Sequence, residues 1–153
     1  MDFPDPLPPE GEGRPDPEAF GRGLGPGLGL NLLVRHVEHA ARFQALVLAA
    51  EVAYWERDFA ILRAQGSMWF LHSDRSYREH PLPGLLREAD IRGRGAELRL
   101  YGRDPDEAVA VARTLDGVIL AEPADKPHGV REAHILDPEG YCWVPTVPKA
   151  GGT

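Results

Sequence analysis

Apolar and polar residues along the chain fall into short runs whose period switches between about two and about 3.6 residues. The run Leu28-Gly29-Leu30-Asn31-Leu32-Leu33-Val34-Arg35 reads as a strand, and residues 38–48 place Ala41, Phe43, Ala45, Leu46 and Leu48 mostly on one side of a helix. Residues 50–55 and 59–63 read as a hairpin and 67–72 as a further strand, giving a β-α-β-β-β unit. A polar, Pro-containing connection over 73–95 follows, with Pro83-Gly84-Leu85-Leu86 as one helical turn. The pattern then recurs as a strand at 96–101, a helix at 107–115 and strands at 118–122, 131–136 and 141–147. Asp104-Pro105-Asp106 marks the helix start, because Asp caps orphan N–H groups and Pro suits the first helical position. Asp137-Pro138-Glu139-Gly140 makes the last turn.

The second unit is a copy of the first. A shift of about 66 positions lays Glu97 on Asn31, Val118 on Val52 and Glu122 on Glu56. Further on, a shift of about 74 pairs Gly66-Ser67-Met68-Trp69-Phe70 with Gly140-Tyr141-Cys142-Trp143-Val144. The insertion between the two registers is 125–130. A duplicated unit tends to enclose something between its copies, so the inward side chains carry the interest.

At 153 residues the chain suits one compact domain. Its formal charge of −7 argues against nucleic acid, since no basic stripe is present. A single cysteine, Cys142, excludes an internal disulfide and a thiolate metal cluster, and suits a reducing compartment. Residues 1–27 are rich in Pro, Gly and acids; they read as an extended or disordered tail, able to strap onto a partner subunit, and not as a secretory signal. No apolar run has membrane-spanning length, and the expectation is a soluble, cytoplasmic protein with no membrane partner.

The doubled β-α-β-β-β unit, Lys126-Pro127-His128-Gly129-Val130-Arg131-Glu132 and the closing Asp137-Pro138-Glu139-Gly140-Tyr141 together resemble the vicinal oxygen chelate superfamily. That superfamily holds glyoxalase I, extradiol dioxygenases, fosfomycin-resistance enzymes and bleomycin-resistance proteins, and the motifs are most similar to the bleomycin-resistance-like branch. The resemblance covers 28–148 and implies an α+β fold of two tandem modules (28–72 and 96–148, linker 73–95) whose curved mixed sheets enclose a cavity. The tails are 1–27 and 149–153.

Metal-dependent members draw ligands from the first and last strands of each module, and the matching positions here are Asn31, Phe70, Glu97 and Val144. Only Glu97 is a strong donor, whereas a catalytic site needs about three protein ligands and an open position. The resemblance therefore implies a protein without a metal or other cofactor. A rescued site from Glu97, His72 and His134 stays open at this stage, because a one-residue slip in a strand turns every side chain over. By alternation Met68, Phe70, His72, Cys142 and Val144 face inward as an apolar wall, with Asn31, Glu97, Arg99, Tyr101 and His134 adding polar groups, the mixture of a small-molecule pocket. Trp69 and Trp143 should face the opposite way. Glu97 with Arg99 reads as an ion pair or, if desolvated, as a general base. Cys142 reads as an inert packed thiol. His36, His39, His80 and His128 read as surface or turn residues, with His128 also able to line a cavity mouth.

The leading expectation is a metal-independent, small-molecule binding protein of the glyoxalase/bleomycin-resistance type that sequesters a toxic or antibiotic compound, with no catalytic residue. The resemblance implies a homodimer. The alternatives are a divalent-metal-dependent lyase, isomerase or dioxygenase, and a metal-free partner or regulatory domain whose cavity is filled by its own side chains.

Overall fold

The computed structural model describes residues 2–86 and 91–151. A short helix α1 (Pro17–Arg22) precedes module one, which runs β1 (Asn31–Val34), α2 (Val37–Leu48), β2 (Glu51–Glu56), β3 (Phe59–Ala64) and β4 (Ser67–Ser73). Two 3-10 turns, Asp74–Tyr77 and Leu82–Leu85, lead to module two: β5 (Leu98–Tyr101), α3 (Pro105–Ala112), β6 (Val118–Asp125), β7 (Val130–Leu136) and β8 (Cys142–Pro148). Each module forms a four-stranded mixed sheet, ordered β1-β4-β3-β2 and β5-β8-β7-β6, with the first strand parallel to the last and the other pairs antiparallel. The fold is α+β, two tandem β-α-β-β-β modules, as the repeat predicts.

Alternation decides which face meets the helices. Leu32, Val34, Leu62, Trp69 and Leu71 from module one and Leu100, Ala133, Ile135 and Trp143 from module two join buried α2 and α3 residues in one core. Trp69 and Trp143 pack with ring centroids 5.4 Å apart and planes tilted by 46°, and the Trp69 indole donates to Gln44 of α2 at 2.8 Å. The two tryptophans thus face the helices. Helix α3 starts on the expected signal, with the Asp104 side chain accepting from Glu107 N–H at 2.9 Å.

Helix α2 has no such cap of its own, since His36 makes no side-chain capping bond. Its start is held from module two. The Glu139 carboxylate accepts from the N–H groups of Arg35 (2.8 Å) and His36 (3.3 Å), a negative group at the positive end of a helix. Asp137 organises the turn that presents Glu139, accepting from the N–H groups of Glu139 and Tyr141 and from the Trp143 indole, each at 2.9 Å. Tyr141 donates its hydroxyl to Leu33 O at 2.7 Å, and burial pushes that phenol up to about 12. Gly140 is required: its φ is +93°, and a Cβ there would lie 2.6 Å from Arg92 N. The Asp-Pro-Glu-Gly motif is therefore an intermodule clasp.

The N-terminal segment differs from an extended or disordered tail. Asp5 pairs with Arg42 of α2, the Trp55 indole donates to Pro8 O at 2.6 Å, and Gly11 N–H donates to Trp55 O at 2.9 Å, so the segment wraps around edge strand β2. Asp16-Pro17-Glu18 then starts α1 by the same chemistry as Asp104-Pro105-Asp106, the Asp16 side chain accepting from Ala19 N–H at 2.9 Å. The segment lies along its own module.

Candidate functional site

The face of module one turned away from the helices is built from two cross-strand rows. Register sets Asn31, Phe70, Ile61 and Tyr54 across one row and Leu33, His72, Phe59 and Glu56 across the next. Tyr54 and Glu56 reach these rows because a bulge between Val52 and Tyr54 adds a residue to β2. The result is an aromatic surface. Phe59 lies 5.7 Å from Phe70 and 4.8 Å from His72, and His72 lies 5.0 Å from Tyr77.

Helix α1 passes over this surface and sets Phe20 edge-on to Phe70 at 5.8 Å. Between segment and sheet is a cavity of about 320 Å³, walled by Pro15, Pro17 and Phe20 on one side and by Tyr54, Phe59 and His72 on the other. Its charged edges are already paired. Glu56 accepts from the Tyr54 hydroxyl (2.8 Å) and faces Arg14 at 3.7 Å, while Asp58 binds Ser73 Oγ (2.6 Å) and Arg75 (2.5 Å). Arg75 and Ser73 together hold the Asp58 carboxyl below its ordinary range.

Asn31 and His72 meet directly. His72 Nδ1 lies 2.5 Å from Asn31 Oδ1, and the Asn31 amide nitrogen donates to the Tyr77 hydroxyl at 2.9 Å. In this assignment of the amide, its oxygen can only accept, so the imidazole proton sits on Nδ1. Burial lowers the His72 pKa from its ordinary value and favours the neutral ring.

The second module holds a different group. Arg99 bridges Glu97 (2.6 Å) and Glu132, and His134 Nε2 lies 3.1 Å from Glu97. Arg99 first and His134 second lower the Glu97 pKa, so the carboxylate is a poor general base. Cys142 is partly buried, and burial raises its thiol pKa, which suits an inert thiol. Val144 is fully buried opposite Arg99, Tyr101 is 65 % exposed, and Met68 lies half-buried at the far end of β4. His128 is exposed in the turn between β6 and β7.

The residues expected inward thus divide into an Asn31–Phe70–His72 group and a Glu97–Arg99–His134 group. The rescued metal set does not form: among the described residues no three His, Cys, Asp or Glu side chains are grouped to hold a metal ion. The donor chemistry at the superfamily's ligand positions does not fit a divalent ion either. Asn31 is committed to His72 and Tyr77, Phe70 and Val144 offer no donor atom, and Glu97 is occupied by the guanidinium of Arg99. Module two supplies its own cation where an acidic cluster would otherwise want one.

Sequence reasoning missed the contribution of the N-terminal segment and of Tyr54, Phe59 and Tyr77. The signal for the first was present, since Asp16-Pro17-Glu18 repeats the helix start of module two. The bulge that turns Tyr54 inward carries no local signal.

A wider cleft of about 460 Å³ lies beside the start of α2, lined by Arg35, His36, Arg57 and Arg75 against Glu10, Glu38 and Asp58. Within it Asp58 pairs with Arg75 and Glu10 accepts from the Arg57 N–H at 3.0 Å, while Arg35 and Glu38 pair with Glu139 and Arg42 outside it.

No protein-family model and no curated protein matches the chain. Solved structures do. A glyoxalase/bleomycin resistance protein/dioxygenase family enzyme from Burkholderia phytofirmans superposes with a TM-score of 0.64 at 18 % identity over 78 % of this chain and 96 % of that one. A glyoxalase-related enzyme from Fulvimarina pelagi gives 0.64 at 16 % identity, covering 85 % and 96 %. A glyoxalase/bleomycin resistance protein/dioxygenase from Nocardioides gives 0.61 at 21 % identity, covering 89 % and 92 %. The chain has the fold of the vicinal oxygen chelate superfamily. Among the described residues no helix is long and apolar enough to cross a membrane.

Proposed function

We propose that the protein binds a small, largely apolar molecule without a metal, as a binding or sequestering protein of the glyoxalase/bleomycin-resistance type. The observation that carries this reading is the cavity between α1 and module one, whose size and wall of aromatic and prolyl rings edged by charged groups already paired with one another suit a small ligand. Support also comes from the superfamily's ligand positions, which here hold an engaged amide, two apolar side chains and a carboxylate already paired with Arg99. Of the residues expected to bind a ligand, His72 lines this cavity, Phe70 backs it through Phe20 and Phe59, and Asn31 orients His72. A homodimer is part of it, supported by Val118 and Leu120, which stand 53 % and 56 % exposed on edge strand β6.

The test is metal analysis of protein purified without chelator, together with melting curves in nickel, zinc, manganese or ferrous ion and in a panel of planar aromatic compounds. A ligand at a hundredfold excess over its Kd stabilises by about 2.7 kcal/mol, a readily measured shift. The expected result is a shift with aromatic compounds and none with metals. Stoichiometric metal, with a metal-induced shift that Glu97→Gln abolishes, would overturn the reading in favour of a metalloenzyme.

A further inference from the structure

The cavity over module one contains a polar atom whose chemistry the protein fixes and then leaves unsatisfied. His72 packs against two tilted rings, Phe59 at 4.8 Å and Tyr77 at 5.0 Å, and its Nδ1–H is held by Asn31. Asn31 is itself oriented by Tyr77 at 2.9 Å. An amide in this position directs the ring without adding the negative charge that an aspartate would bring, so the imidazole stays neutral and Nε2 carries a lone pair. Among the described residues Nε2 has no hydrogen-bond partner, and His72 is one of the residues that line the cavity.

The other polar groups around the cavity are engaged. Glu56 has Tyr54 and Arg14, Asp58 has Ser73 and Arg75, and Ser76 Oγ donates to Ser73 O at 2.8 Å. The remaining wall is aromatic or prolyl, and flat rings gain most from such surfaces.

We infer that His72 Nε2 is the specificity-determining atom of this cavity, and that it selects an uncharged, planar aromatic ligand carrying one N–H or O–H donor at the ring edge. The inference rests on the small-molecule reading above and deepens it. Asn31 is the positioning residue: it acts through His72 by setting which nitrogen carries the proton.

The pair indole and benzothiophene tests this, because the two rings are nearly isosteric and only indole has an N–H. Calorimetric titration of the full-length protein should show indole binding about tenfold more tightly, the worth of a hydrogen bond whose loss strands a desolvated acceptor. His72→Phe should abolish the preference while keeping benzothiophene affinity, and Asn31→Ala should reduce the preference by freeing the ring to turn. Nitrogen NMR of histidine-labelled wild-type protein should find His72 protonated at Nδ1 and bare at Nε2. This measurement and the wild-type titration do not depend on the variants folding. Equal affinity for the two rings, or a neutral His72 protonated at Nε2, overturns the inference and leaves the small-molecule reading standing. Failure of both rings to bind overturns the inference together with the assignment of the cavity as a ligand site.

Discussion

Replacing Glu139 by Ala should destabilise the protein more than almost any other single change outside the apolar core. The Glu139 side chain is only 4 % exposed, and its carboxylate takes the N–H groups of Arg35 and His36 at 2.8 and 3.3 Å and the Arg35 guanidinium at 3.4 Å. Arg92, itself 3 % exposed, sets its Nε 4.0 Å away. Truncation leaves two backbone donors without their acceptor, each worth about 1–3 kcal/mol, and removes one charge facing a buried guanidinium, a change that typically costs about 3–5 kcal/mol. These terms overlap. Arg92 keeps Asp74 through bonds of 2.6 and 2.7 Å, so the expected total is about 3–5 kcal/mol rather than the sum. Against a typical stability of about 5–15 kcal/mol that is a large fraction.

Urea unfolding, followed by the fluorescence of the Trp69–Trp143 pair that spans the modules, measures it. The midpoint should fall with the slope unchanged. Glu139→Gln retains an acceptor oxygen but not the charge and should cost about 1–3 kcal/mol. A loss below about 1 kcal/mol in Glu139→Ala would refute the argument that this clasp joins the modules.

Two further outcomes follow from the same geometry. Gly140→Ala forces a Cβ to 2.6 Å from Arg92 N at a φ of +93°, so melting should drop by about 2–4 kcal/mol equivalent; an unchanged melting temperature would contradict the close approach. Arginine partners hold Asp58, Asp106 and Glu97 below their ordinary values of 3.8, 3.8 and 4.5. The unfolded chain therefore binds more protons there, so this stability is present above the ordinary values and lost as pH falls through the lower folded ones. Asp137, raised by burial, acts in the opposite sense. The urea midpoint should decline as pH drops from about 5 to about 3, less steeply in Asp58→Asn, and an equal slope in that variant would remove Asp58 from the account.

Local periodicity determined the doubled β-α-β-β-β order, the start of α3 at Asp104-Pro105, and the turn of Trp69 and Trp143 to the side opposite Phe70 and Val144, because each depends on residues within one element. It also put His72 on the side of Phe70, since a strand face follows from counting by two, while the resemblance to the superfamily put Asn31 there. Pairings across the fold lay beyond that reach. The bulge that presents Tyr54 answers the packing of β2 on β3, and Glu139 reports nothing of its role until folding brings it to Arg35, 104 positions away. The Glu97–Arg99 pair was legible from its spacing, but the Glu132 and His134 contacts that complete it were not, and Phe20 read as part of a loose tail until α1 settled over Phe70. Elements and their faces could be read from the chain because they obey short-range sterics and hydrophobic period. Which polar atoms are spent on one another, as Asn31 Oδ1 is on His72 Nδ1, was settled by the assembled fold, because hydrogen-bond satisfaction depends on groups far apart in the chain.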